Sequence, residues 1–188
     1  MRRADAEVVR DSMLAVSGRL NPRVGGPSMY PEVPKEALAG SSDPDKIWKP
    51  FDEADASRRT VYAFLKRSFV VPMLEVLDLC DTVQSSPRRQ TTTVAPQALT
   101  LFNGSFVNAQ ATHFAARLRR EAGPDPDARL DLAYRLAIAR PPHLAERQSL
   151  REFLRKETAA QLAETKNADP TAATERAWIQ LARVILNL

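Results

Sequence analysis

Arg89-Gln90-Thr91-Thr92-Thr93-Val94-Ala95-Pro96-Gln97-Ala98-Leu99-Thr100-Leu101-Phe102-Asn103 lies at the middle of the chain, preceded by Ser86-Pro87-Arg88 and followed by Gly104. It opens with arginines and a threonine run, then turns apolar from Val94 to Phe102, which predicts a short helix. Asn103-Gly104 is expected to stop that helix, because the pair tolerates positive φ. Arg89, Gln97 and Asn103 are polar groups bracketing the apolar run. A buried amide needs partners for both of its ends, so Gln97 and Asn103 are expected to bond backbone of the irregular Asn21 to Pro50 segment, and Arg89 to lie near Asp78 or Asp81. The other reading makes them a ligand site, with Arg88-Arg89 and the threonines gripping a phosphate, sulfate or carboxylate through forked donors.

Immediately upstream, Met73 to Asp78 reads as about one apolar turn. Asp78 and Asp81 stand three apart, close in space if that turn is helical. Two such carboxylates can do acid–base chemistry, hold a divalent cation, or pair with Arg67 or Arg89. Arg59 to Phe69 reads as a strand or a short helix, with a short extended segment preferred, and Val70-Val71-Pro72 breaks it. Further back, Asn21 to Pro50 carries prolines at 22, 27, 31, 34, 44 and 50 and little periodicity. Tyr30, Ile47, Trp48 and Phe51 give it apolar anchors, so it reads as an extended wrap with Trp48 buried. The acidic run Asp52 to Asp55 reads as a solvated rim. Arg2 to Ser17 reads as a helix with Ala6, Val9, Met13 and Val16 on one face, ended by Gly18. Glu7, Arg10 and Asp11 on this helix are either a solvated face or, if buried, the anchor of a polar network.

Downstream the pattern is helical throughout. Val107, Ala111, Phe114, Ala115 and Leu118 form one face, closed by Gly123-Pro124-Asp125-Pro126. A helix over 127–139 has broad apolar coverage, and Arg140-Pro141-Pro142 ends it. His143 to Glu146 starts the next, with Glu146 placed as the third residue of a capping box. The last, over 171–187, aligns Trp178, Leu181, Ala182 and Ile185. The fold class is therefore mainly α, an irregular helical bundle with a long proline-rich extended wrap in the N-terminal half. One domain is expected over 1–188: first helix and wrap to 58, the central signature over 59–104, and the bundle over 105–188. The Val94 to Phe102 helix is expected at the centre of the bundle, with Leu99 buried.

Composition narrows the function classes. The 188 residues are 44% hydrophobic and 27% charged, which is globular, and 6% aromatic, which places the core on Leu, Val and Ala. A net charge of +4 over 27 basic and 23 acidic residues gives a mixed surface, without the basic stripe that nucleic-acid binding leaves. Arg117-Leu118-Arg119-Arg120 is the nearest thing to a patch. Cys80 is the single cysteine, which excludes an internal disulfide, a cysteine-rich metal site and a covalent haem attachment motif. His113 and His143 lack zinc spacing. No run approaches the roughly 18 apolar residues that a membrane span needs. No nucleophile elbow or phosphate-cradling glycine loop is present, so no catalytic motif is identifiable.

The central stretch, Arg89 to Asn103, resembles the signature of domain-of-unknown-function family 1553. Other stretches agree in the same order: Ala6-Glu7-Val8-Val9-Arg10-Asp11-Ser12, Ala15 to Asn21, Gly25-Gly26-Pro27-Ser28, Val61-Tyr62, Lys66-Arg67-Ser68, Pro72-Met73-Leu74-Glu75, and Ala139-Arg140-Pro141-Pro142 with Glu146. The resemblance implies the C-terminal domain of planctomycete-type proteins associated with cytochrome c domains, here truncated at both ends. It implies an exported, extracytoplasmic full-length protein that carries haem c on another domain and no cofactor in this chain. It also implies a structural or interaction role, with the remaining domains of the same protein as partner. The alternative is a carbohydrate-binding or carbohydrate-active domain on an Asp/Arg/Gln cluster, with a polysaccharide as partner. The candidate polar residues are Glu7, Arg10, Asp11, Arg67, Asp78, Asp81, Arg89, Gln97 and Asn103.

Overall fold

A computed structural model describes residues 4–39, 46, 48–49, 52–80, 85, 87–164 and 169–188. The expectations for Ile47, Phe51 and Asp81 lie outside those residues. The described chain is mainly helical, and its backbone groups into two compact units. One comprises Met1–Ala15 with Arg19–Phe106, the other Val16–Gly18 with Val107–Leu188.

In the first unit, α1 (Ala6–Ser17), as far as Ala15, buries Ala6, Arg10, Met13 and Leu14, at i, i+4, i+7 and i+8. That face is turned from the one predicted: Val9 is only half-buried, and an arginine takes a place inside. Gly18, at φ +77°, turns the chain so that the amides of Arg19 and Leu20 both reach the Leu14 carbonyl, at 2.8 and 3.0 Å. The wrap then runs beside the 57–64 segment. Asn21 and Met29 form isolated parallel bridges with Arg58 and Ala63, and Met29 is fully buried. Within the wrap, α2 (Lys35–Leu38) buries none of its side chains. Trp48 is buried as expected, and its indole N–H donates to the Pro31 carbonyl at 2.8 Å. Tyr30 stacks on Phe64 with centroids 4.9 Å apart, and Trp48 meets Tyr30 edge-on and Phe69 at 5.3 Å. These rings, with Val71, Leu74 and Leu77, make the core of this unit. Each fully buried Leu or Phe contributes about 1.5–3 kcal/mol.

The acidic rim is helical: α3 (Glu53–Ala56) is capped by the Asp52 carboxylate, which accepts the Asp55 amide. A 3-10 turn (Thr60–Tyr62) follows, then α4 (Pro72–Val76), with Pro72 at its first position, where no amide is needed. The central signature forms α5 (Ala95–Asn103).

The expected place of α5 is corrected. It sorts with the first unit and not with the bundle, and Leu99 is 59% and Phe102 46% exposed. Gln97 is the buried residue of α5, and Leu101, four residues on, packs on the first unit's core. Leu99, Leu101 and Phe102 point to different sides of the helix, and the side that turns inward is the one that carries the hydrogen-bonded Gln97. The helix stop is also corrected in mechanism. Gly104 has φ −61°, so positive φ is not what it supplies. A Cβ there would lie 2.5 Å from the Thr100 carbonyl oxygen, and only glycine permits that approach.

The second unit is the bundle, built by α6 (Ser105–Ala122) from Val107 onward, α7 (Pro126–Ile138), α8 (Leu144–Glu164) and α9 (Pro170–Ile185). The predicted faces hold: Phe114, Leu118, Leu130, Tyr134, Trp178, Leu181 and Ile185 share one core. Asp125 and Asp169 cap α7 and α9, each before a first-position proline. Ala139 ends α7 in the left-handed region, at φ 60°. The capping-box reading of Glu146 holds too, since its carboxylate accepts the His143 amide at 2.7 Å. The same carboxylate takes a fork of two 2.7 Å bonds from Arg140. The Arg140 bonds, and after them the His143 amide, hold the Glu146 pKa down at about 2.

Candidate functional site

The polar residues of the first unit assemble into three ties. The first begins on α1. Arg10 is almost fully buried, and one end of its guanidinium donates to the Arg58 carbonyl and the Thr60 hydroxyl, both at 3.1 Å. Its other end donates to the Ala56 carbonyl. Asp11 accepts the Thr60 amide at 2.7 Å and its hydroxyl at 2.6 Å, and stands 3.7 Å from Arg10. Burial pushes the Arg10 pKa down to about 10, with Asp11 opposing, so the group stays charged at neutral pH. One turn of α1 thus fixes the end of α3 and the 3-10 turn after it.

The second tie continues from there. Arg58 has 0% exposure. It donates to the carbonyls of Gly25 at 2.5 Å and Pro27 at 2.9 Å, and lies 4.3 Å over the Tyr62 ring. The Tyr62 hydroxyl accepts the Gly25 amide at 3.1 Å. Gly25 and Gly26 take positive φ of 76° and 86°, a turn that lets the Gly25 and Pro27 carbonyls face one cation. The nearest carboxylate to Arg58 is Asp55 at 3.4 Å, and the charge is solvated mainly by backbone.

The third tie holds the threonine run. Arg89 forms a two-pronged pair with Glu7, both bonds 2.7 Å, with Asp5 at 4.0 Å. Its bond holds the Glu7 carboxyl below the usual range and raises its own pKa. Asp78, in the left-handed region at φ 64°, accepts the amide and the hydroxyl of Thr92, each at 2.8 Å. Gln97 donates to Thr92 Oγ1 at 3.0 Å and Asp78 at 3.3 Å, and its carbonyl accepts the Val94 amide at 3.4 Å. That last bond caps α5.

Of the nine candidates, Glu7, Arg10, Asp11, Asp78, Arg89 and Gln97 therefore take part in these ties. Two expected pairings are corrected. Arg89 bonds the carboxylate of Glu7, on α1, because the fork matches it end-on there. Gln97 bonds Asp78 and Thr92 and not the wrap, because the αL turn at Asp78 brings that carboxylate over the start of α5. Arg67 is exposed, and Asn103 ends α5 on the exposed side. Sequence reasoning missed Arg58, Thr60 and Thr92. Arg58 reads as surface in sequence, since a cation solvated by carbonyls needs no carboxylate motif; Gly25-Gly26-Pro27 was the available signal. Among the described residues no group of three or more His, Cys, Asp or Glu is placed to hold a metal.

The ties define an α-helical module whose signature side chains are bonded to other groups of the same unit. The chain belongs to the family described as Protein of unknown function (DUF1553), PSD1, whose model matches residues 1–154. Comparison with curated proteins and with solved structures gives no match.

Proposed function

We propose that this chain is a structural or interaction module of a larger exported protein, working beside a domain that carries haem c. One observation carries the reading: the polar residues of the three ties are bonded to one another and to backbone. Arg10 and Arg58 hold carbonyls, Arg89 holds Glu7, and Asp78 holds Thr92 and Gln97. To hold a substrate, these side chains would first have to give up those bonds. The extracytoplasmic location and the haem partner rest on the family resemblance. The test is to purify from its natural host the protein containing this segment. A pyridine haemochrome spectrum and fractionation of the cell envelope are the readouts. The expected result is haem in the same polypeptide, recovered outside the cytoplasm. A haem-free cytoplasmic protein would sink the proposal.

The alternative places carbohydrate recognition on Asp78, Arg89 and Gln97, which would have to exchange the bonds just described for sugar hydroxyls. Calorimetric titration with soluble glycans separates the two. Binding that Arg89→Ala abolishes without lowering the melting temperature would favour the alternative.

A further inference from the structure

A cleft of about 220 Å³ opens in the first unit, lined by Pro27, Ser28, Tyr30, Lys49, Asp52 and Asp55. Its one aromatic wall is held rigidly: Tyr30 stacks on Phe64 and is met edge-on by Trp48. The Lys49 ammonium sits over that ring, 5.3 Å from its centroid. Asp52 spends one oxygen on the Asp55 amide, and Asp55 spends one on Arg58. The second oxygen of each carboxylate has no partner among the described residues. Arg58, which pairs with Asp55, is held by the Pro27 and Gly25 carbonyls.

Charge decides what the cleft takes. Asp52 and Asp55 are balanced by Lys49 and Arg58. Lys49 is the movable partner: its side chain is exposed and rides on a flexible four-carbon stem. With Lys49 swung into water, one net negative charge remains beside an aromatic ring. That is the recognition chemistry of a single organic cation, attracted by ring quadrupole and carboxylate together. A hard divalent ion fits poorly, because it needs six or more oxygens and an ammonium stands beside it. We propose that this cleft binds a small organic ammonium ion on Tyr30, between Asp52 and Asp55, and that Lys49 occupies the place as an internal competitor.

The test is titration of the whole chain with choline and n-butylammonium at fixed ionic strength, followed by NMR shifts of the Tyr30 ring, with n-butanol and glucose as neutral probes. Lys49→Met removes the competitor and should tighten ammonium binding by about two- to fivefold, the range of a cation–π contact at a partly exposed site. Asp52→Asn keeps the cap of α3, since asparagine caps as well, and should weaken binding. If that variant melts lower than wild type, the Lys49→Met comparison decides alone. Ammonium binding that ignores Lys49→Met, equal binding of the neutral probes, or no binding of either ammonium to Lys49→Met would overturn the proposal.

Discussion

Replacing Arg10 with alanine tests whether the buried arginine holds the first unit together. The guanidinium serves the carbonyls of Ala56 and Arg58, and neither has another donor among the described residues. Orphaning two buried carbonyls costs about 1–3 kcal/mol each. Losing the buried stem adds about 2 kcal/mol, at roughly 0.8 per methylene. Against this, the burial that lowers the Arg10 pKa from 12.5 to about 10 is relieved, which returns about 3 kcal/mol. The expected net loss is about 1–5 kcal/mol, a large part of a domain stability of about 5–15 kcal/mol. Trp48 lies in the first unit and Trp178 in the second, so urea denaturation followed by fluorescence in a Trp178→Phe background reports on the first unit. Arg10→Lys keeps the charge and loses the fork, and should fall between wild type and Arg10→Ala. A loss below about 1 kcal/mol for Arg10→Ala would mean that water solvates those carbonyls equally well, and the tie would not be structural.

Four further outcomes follow from the same geometry. Leu99→Ala should change stability by no more than about 0.5 kcal/mol in a denaturant melt, while Leu130→Ala, at a fully buried site, should cost about 2–5 kcal/mol. Arg89→Ala breaks a partly exposed pair and should cost about 1 kcal/mol or less; a loss above 3 would place the pair in the interior. Gly104→Ala forces the Thr100 carbonyl to move and should cost about 1–3 kcal/mol, with faster amide exchange at the end of α5. For Glu146 the folded pKa of about 2 lies below the ordinary 4.5. Its contribution is thus complete above pH 4.5 and is lost as pH falls from there toward 2. An NMR titration placing the Glu146 midpoint near 4.5, or a Glu146→Gln variant with an unchanged acid limb, would contradict this.

The sequence by itself determined the second unit almost completely. Its helices carry apolar residues at 3.6-residue spacing, α7 and α9 with aspartate caps before prolines and α6 with Gly123 after it, and those signals act within a turn or two of chain. Phe114, Leu130, Trp178 and Ile185 were legible as core for that reason. The proline-rich wrap and the burial of Trp48 were legible too, since a large aromatic in a segment without periodicity has few other ways to be anchored. Tertiary structure alone decided which face of α5 turns inward. Leu99, Leu101 and Phe102 are equally apolar, and the choice fell to Gln97, whose bond partners lie five and nineteen residues away. It also decided the partners of the buried and paired cations: Arg10 and Arg58 end on backbone carbonyls thirty to fifty residues distant, and Arg89 on a glutamate at the other end of the unit. Every residue offers a carbonyl, so the fold selects among them by geometry, and no side-chain pattern in the sequence records that selection.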